Sequence, residues 1–337
     1  MTAPIRIKNI GELAKLAGVS TSTVSRALDD SPLIAQKTRD RIQALAREHD
    51  FRPNVMARNL RIQRTGAIGV VIPLGHETSQ HISDPFFMTM LGLLADALTG
   101  RGHDLMLSRV IPSEDQWLDK IVDSGRVDGL IIIGQSDQSA TIDRVAKRYR
   151  NLVVWGGYTK GQVHCSVGSD NVRGGYLATS HLIEQGCERI TFVGDHRILE
   201  MSQRYEGYRA AMVESGLKHN VSELTAHLVA ETAHPEITRF LGETAQPPQG
   251  IFAATDVIGM SALRALSDFG LAVPADVKVI GYDGLTISEH TVPRLTTMKQ
   301  DLAKGAGNLI DLLFRRMAGE ETDSVVIEPE LLHRMSS

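Results

Sequence analysis

Thr21, Ser22, Ser25 and Arg26 share one face of the short segment STSTVSRAL (20–28). Small hydroxyls and one guanidinium provide hydrogen-bond donors and acceptors with little bulk. Such a face can enter a major groove and meet base edges, where long apolar side chains would instead point to packing. Arginine, aspartate and aromatic residues are also spread along the rest of the chain. Charged planar groups suit pairs of adjacent hydroxyls, and aromatic rings suit the apolar face of a sugar. Both sets describe recognition, and neither describes a reaction.

Catalytic signatures are missing from the sequence. His76-Glu77-Thr78-Ser79-Gln80-His81 has the wrong spacing for two helical zinc ligands with a general-base Glu, which need H-E-x-x-H. That stretch reads as a solvated loop before Pro85. No P-loop, no G-x-S-x-G elbow and no G-x-G-x-x-G after a strand occurs. The twelve histidines are scattered. No enzyme activity, cofactor or metal is expected. Cys165 and Cys187 are too few for a disulfide framework, which makes a reduced cytoplasm the default.

The hydroxyl face needs helices to carry it. Ile10, Leu13, Ala14 and Ala17 recur at i, i+3, i+4 and i+7, one face of a short helix that Gly18 stops. Ser20 can cap a second helix, in which Val24, Ala27 and Leu28 face inward. Two short helices joined by an A-G-V-S turn make a helix-turn-helix. A third helix is expected from about Gln36 to Glu48, with Ile42, Leu45 and Ala46 as its apolar stripe. Pro53 fits the first position of a fourth, reaching about Arg61. That one is too short to be stable alone in water. Gln63-Arg64-Thr65-Gly66 reads as a linker.

Charge divides at the same place. Residues 1–64 hold 12 Lys and Arg against 6 Asp and Glu, a net +6. The rest holds 24 basic and 34 acidic residues, a net −10 that the overall −4 hides. A basic head on an acidic body points to a polyanion partner for the head alone.

LAKLAGVSTSTVSRAL (13–28), followed at matching spacing by FRPNVMARNLR (51–61), resembles the DNA-binding head and hinge helix of the lactose-repressor/galactose-repressor (LacI/GalR) family. The resemblance implies that Thr21, Ser22 and Arg26 read bases, with Thr23 beside them at the DNA. It implies that hinge helices of two subunits pair in the minor groove. Leu60 is then the wedge at the central base step, a device that unstacks DNA at a cost of roughly a few kcal/mol. Ala57 is the small residue that lets the hinges approach, and Asn54, Arg58 and Asn59 touch phosphate or groove edges. His49-Asp50-Phe51 stands where Leu-Gly-Tyr is common in the family, so the third helix is expected to end differently.

From residue 67 onward, short aliphatic runs alternate with helical patterns. The runs are 67–73, 104–108, 129–134, 152–156, 189–194, 250–253 and 277–281, with a last strand at 323–328. Continuous apolar strands between amphipathic helices signal parallel sheets covered on both faces. About 270 residues is large for one such sheet, so two lobes are expected. The family resemblance extends over this part through SDPFF (83–87), VGSDN (167–171), R-x-x-G-Y (204–208), ATD (254–256) and GYDG (281–284).

The expected fold class is therefore an N-terminal all-α helix-turn-helix head plus an α/β two-lobed periplasmic-binding-protein-like effector domain. The expected parts are 1–52 as head, 53–66 as hinge and linker, and 67–337 as effector domain. Lobe one is expected over about 67–161 and 293–321, and lobe two over about 162–292 and 322–337.

Within the cleft that the resemblance implies, Arg204 and Asp283 are the leading polar candidates. Asp283 also suits a helix cap, and Asp256 suits a cap as well as a ligand contact. Thr255 stands where many relatives have Asn. Asp137 follows the strand at 129–134. Phe86 is favoured for stacking, whereas Phe87, Trp155 and Tyr158 suit core packing equally. Asp170 and Asn171 suit an interlobe crossover first and a ligand contact second.

The expectation is a cytoplasmic, sequence-specific transcription regulator, a repressor in type, that binds double-stranded operator DNA as a homodimer. A saccharide or glycoside in the cleft controls it, and no membrane is involved. The alternative is a carbohydrate-binding protein or enzyme with the same α/β body and no regulatory DNA binding.

Overall fold

The structure is a computed structural model that describes residues 7, 9–51, 64–75, 78–135 and 137–337. The hinge positions Asn54, Ala57, Arg58 and Leu60 lie outside the described residues, as do His76 and Glu77. The chain divides into two compact units, residues 1–65 and 66–337.

In the first unit α1 (Ile10–Ala17) is capped by Asn9, whose side chain accepts from Glu12 N, and is stopped by Gly18 at φ 64°. In α2 (Thr21–Leu28) the Ser20 hydroxyl accepts from Thr23 N at 3.1 Å. Leu13, Ala17, Val24 and Ala27 meet Ile42 and Ala46 of α3 (Gln36–Glu48) in one small core. From α3, Arg41 donates to Ala17 O at 2.9 Å and Gln43 to Ala27 O at 3.1 Å. Both bonds satisfy carbonyls that helix ends leave open. The chain leaves α3 through Asp50 at φ 44°, a left-handed position usually given to Gly. Phe51 N then donates to Ala46 O, and the Phe51 ring enters the core.

The second unit holds two six-stranded sheets. The first runs in the order β11 (Val325–Ile327), β5 (Cys165–Ser169), β4 (Leu152–Trp155), β3 (Gly129–Ile133), β1 (Ala67–Pro73), β2 (Asp104–Val110). All its strand pairs are parallel. Ile68, Val70, Ile131 and Val153 face α4 (Pro85–Thr99) and α11 (Leu302–Met317). Val71, Leu130, Ile132 and Val154 face α5 (Trp117–Val122) and α6 (Ser139–Ala146). Burial on both faces is why these strands read as continuous apolar runs.

The second sheet runs β12 (Glu330–Leu332), β10 (Thr296–Lys299), β9 (Lys278–Asp283), β8 (Gly250–Ala253), β6 (Ile190–Val193), β7 (Val221–Leu224). Only β12 is antiparallel to its neighbour. Around it lie α7 (Asn171–Glu184), α8 (Leu199–Glu214), α9 (Ala230–Glu243) and α10 (Asp256–Asp268).

Strand pairing corrects the expected crossings near 161, 292 and 322. β5 pairs with β4, so the chain stays in lobe one through Ser169 and crosses at Asp170. β10 pairs with β9, which moves the second crossing to Gln300–Asp301. β11 pairs with β5, so the third falls at Glu328. The polar loop after Tyr158 and the loop around Pro293 resemble crossovers in sequence, yet each is a connection between strands of one sheet. Among the described residues, no helix is long and apolar enough to cross a membrane.

Candidate functional site

On the first unit, Thr21, Ser22 and Arg26 are exposed, while Thr23 and Ser25 are half-buried. The Ser20 hydroxyl lies 2.8 Å from that of Ser22 and 2.9 Å from that of Thr23. The capping atom therefore also fixes the hydroxyls of the first turn, and the face they form is pre-set by the fold of α2. Arg26 extends from the next turn with no protein partner needed to build the helix.

Between the lobes of the second unit lies a cavity of about 820 Å³, counting its open mouth. Its walls come from strand ends and helix starts, the usual place for ligands in open α/β sheets. Asp84, Phe86 and Trp155 line it from lobe one, and Glu200, Arg204, Thr255 and Asp283 from lobe two. Asn171 and Gln300 line it beside the crossovers.

Arg204 anchors the lobe-two wall. Its Nε donates to Asn171 Oδ1 at 2.9 Å and its Nη1 to Ala254 O at 2.5 Å. Its guanidinium lies 3.7 Å from the centre of the Tyr282 ring, a cation–π contact inside a buried site. Two glycines let α8 bring Arg204 this close. A Cβ on Gly175 would stand 2.0 Å from Arg204 O, and one on Gly207 would stand 2.0 Å from Val172 O.

Asp283 ends β9 with φ 124°, a conformation rare outside Gly. Its Oδ1 accepts from Gln300 Nε2 at 2.7 Å, and its Oδ2 from Asp256 N at 3.4 Å. Burial pushes this carboxyl well above the usual carboxylate range, while Arg204 pulls it down.

The lobe-one wall starts from Asp84, which caps α4 by accepting from Phe86 N at 2.9 Å. Gln80 Nε2 donates to its other oxygen at 3.2 Å. Burial raises the Asp84 carboxyl, and these bonds lower it. Phe86 and Trp155 stand beside it with ring centres 6.4 Å apart and planes tilted by 45°. The cavity thus sets aromatic rings and Met201 against amides, carboxylates and a single arginine. A neutral, hydroxyl-rich ligand suits that composition. A strongly anionic one would face Glu200 and, among the described lining residues, meet a single cation, Arg204, whose guanidinium is already bonded.

Residues 9–54 match the family described as bacterial regulatory proteins, lacI family, and residues 179–337 match a periplasmic binding protein-like domain. The chain is 30% identical to the HTH-type transcriptional repressor PurR of Pasteurella multocida (strain Pm70), over 97% of this chain and 98% of that relative. The chain belongs to the LacI family.

Among solved structures of similar proteins, a transcriptional regulator CelR–cellobiose complex matches at 28% identity and TM-score 0.69, over 98% of this chain and 100% of that one. The Lac repressor dimer bound to operator and the anti-inducer ONPF matches at TM-score 0.84. That match covers 98% of this chain and 99% of the other, and at 22% identity it speaks for the fold. As a LacI-family protein the chain is a transcriptional regulator and not an enzyme.

Within this LacI-family fold, Phe86, Trp155, Arg204, Thr255 and Asp283 come together on one cavity. Asp137 and Asp256 do not line it, contrary to expectation. Asp137 is exposed just beyond β3, accepts from Gln138 Nε2 at 2.7 Å and packs over Gly75. Asp256 is fully buried. Its carboxylate turns away from the cleft to accept from Thr297 Oγ1 at 2.5 Å and Leu285 N at 2.8 Å. Thr255 rather than Asp256 caps α10, accepting from Ile258 N at 3.2 Å.

Tyr158 is exposed outside the cavity, whereas Phe87 lines it. Sequence reasoning passed over Asp84, Glu200 and Gln300. Asp84 carried a signal, an Asp before a Pro at the first helical position. Glu200 and Gln300 carried none.

Proposed function

We propose that this chain is a repressor whose grip on operator DNA is controlled by a saccharide or glycoside in the interlobe cleft. The observation that carries the reading is the buried Arg204–Asn171–Asp283–Gln300 network facing the Phe86 and Trp155 rings across one cavity. It is built for hydroxyls on one side and an apolar ring face on the other. The relative solved as a complex with cellobiose and the relative named a repressor both support it.

Residues 1–52 would be the operator-reading head, 53–66 the hinge and linker, and 67–337 the effector and dimerisation part. Thr21, Ser22, Thr23 and Arg26 would meet the major groove. Leu60, flanked by Asn54, Ala57 and Arg58, would enter the minor groove, as the family resemblance of that segment implies. The regulator would act in the cytoplasm as a homodimer, because a paired hinge and a palindromic operator share a two-fold axis.

Support for dimerisation comes from lobe one. Along the length of α4, Phe87, Met90, Leu91, Leu94 and Leu98 face their own core, leaving Met88 exposed. Leu107 on the edge strand β2 and Ile111 just beyond it are exposed as well. Ligand-driven movement of the lobes would then change the spacing of the two hinges, and hinge helices would form or melt with it. A coupling of ~1–3 kcal/mol between the sites suffices.

A thermal-shift screen of mono- and disaccharides tests the cleft, since a ligand at 100 times its Kd adds ~2.7 kcal/mol to apparent stability. Selection of bound fragments from a genomic library in low salt tests the head. A monomeric protein that prefers no fragment sinks the regulatory reading, and a screen without a single stabilising sugar sinks the ligand class.

A further inference from the structure

The start of α8 belongs to lobe two, packed through Met201, Tyr208 and Met212 on the second sheet's core. The loop after β4 belongs to lobe one. These two segments touch across the mouth of the cleft. Glu200 Oε1 accepts from Gly157 N at 3.0 Å, and Gln203 Nε2 donates to Tyr158 O at 2.9 Å. Both partners are tied back into their own lobes. Gly157 O accepts from the buried Gln135 Nε2 at 2.6 Å, and Gln203 Oε1 accepts from Asn171 Nδ2 at 3.3 Å. The approach is close: a Cβ on Gly157 would stand 2.5 Å from Gln203 Oε1, so a side chain there would displace the Gln203 amide.

We propose that Glu200 and Gln203 are positioning residues that latch the two lobes together across the cleft and set its open–closed balance before any ligand enters. The chemistry is complementary at each point: a carboxylate takes the peptide N–H, and an amide N–H takes the next peptide's carbonyl. Glu200 also lines the cavity, so the group that latches the lobes is one that a ligand's hydroxyls would meet. The inference stands apart from the effector assignment, because the latch is made by protein atoms alone.

Spin labels placed on Lys147→Cys in lobe one and Lys218→Cys in lobe two, both exposed positions, report the interlobe distance by pulsed electron resonance on the full chain without ligand. The native cysteines are buried. Gln203→Glu keeps the size of the side chain and removes the donor to Tyr158 O. It should shift the closed-to-open ratio toward open by about threefold to tenfold, the size of one net hydrogen bond. Glu200→Ala should do the same. Glu200→Gln should stay near wild type, since its amide oxygen still accepts from Gly157 N. Unchanged distances in Gln203→Glu overturn the latch. So does equal opening in Glu200→Gln and Glu200→Ala, which would show that the contact does not act through that hydrogen bond.

Discussion

Arg204 Nη1 and Asp283 Oδ1 face each other 3.9 Å apart at the back of the cleft, both almost completely buried. The distance is too long for a hydrogen bond, and each group is held mainly by others. Arg204 is fixed by Asn171, Ala254 and the Tyr282 ring, and Asp283 by Gln300 and Asp256 N. A guanidinium carries five N–H donors and a carboxylate several acceptor sites. The pair therefore keeps open hydrogen-bonding directions that adjacent hydroxyls of a ligand can take up.

Removing Arg204 strands the groups it donates to. Arg204→Ala leaves Asn171 Oδ1 and Ala254 O, both buried, without that donor, a change that typically costs about 1–3 kcal/mol for each group. Denaturant unfolding of the two-lobed unit should show a loss of that order, together with loss of sugar-dependent stabilisation. The helix-turn-helix unit has its own core, so DNA affinity in the absence of sugar should be largely kept. Unaltered calorimetric affinity for a sugar that binds wild type would remove Arg204 from the ligand site.

Asp256, buried behind the cleft wall, gives the stability of the two-lobed unit an unusual pH dependence. Burial raises its carboxyl from the ordinary 3.8 to about 6. The folded state then binds a proton more readily than the unfolded chain, and stability from this group is full below about pH 4 and is lost as pH rises through 6. Asp256→Asn has no such titration. Its stability relative to wild type should therefore improve between pH 4 and pH 7, on top of a constant penalty for the altered bonds to Thr297 and Leu285. A pH-independent difference between the two proteins would show that Asp256 does not titrate in this range.

Period and punctuation made much of this fold legible. The i, i+3, i+4 stripe, Gly18 and Ser20 located α1 and α2, and the bounds of α3 fall where its apolar stripe and charges placed them. The doubly buried strands β1, β3, β4, β6, β8 and β9 stood out because both faces are apolar. β5 (CSVGS) and β10 (TTMK) did not, since polar residues occupy positions that only tertiary packing buries, and neither did β7 (VSEL), a short edge strand with no buried residue. That gap misplaced the lobe crossings. Direction was the other hidden quantity. Asp137, Asp256 and Asp283 all follow strands, yet one lies outside, one braces the β9–β10 region and one faces the cavity. Glu200 could not be read because α8 mixes polar and apolar residues all round, being pressed on α7 on one side and the cleft on another.

The α7–α8 crossing is a tight packing point beside the cleft. Gly175 has no room for a methyl group beside Arg204 O, and backbone cannot yield as a flexible side chain can. Gly175→Ala should separate the helices, shift Arg204 off Asn171 and Tyr282, and destabilise the unit by about 1–3 kcal/mol as overpacking does. Sugar affinity should fall even at temperatures where the variant is fully folded. A variant with wild-type affinity and stability would mean that the helices can part without moving the arginine.

Two substitutions on α2 should separate scaffold from readout. Ser20→Ala removes the cap on Thr23 N and the hydroxyl shared with Ser22 and Thr23. Loss of such a cap costs about 1 kcal/mol, so the head unit should unfold more easily and bind all sequences more weakly. Arg26 caps nothing and is exposed, so Arg26→Ala should leave head stability within about 0.5 kcal/mol of wild type. Its effect should appear as relaxed preference at one base pair, worth about 1–3 kcal/mol, in a selection from randomised operators. If Arg26→Ala instead lowers affinity equally for every sequence and flattens the salt dependence, Arg26 is a phosphate contact and base reading rests on the hydroxyls of Thr21 and Ser22.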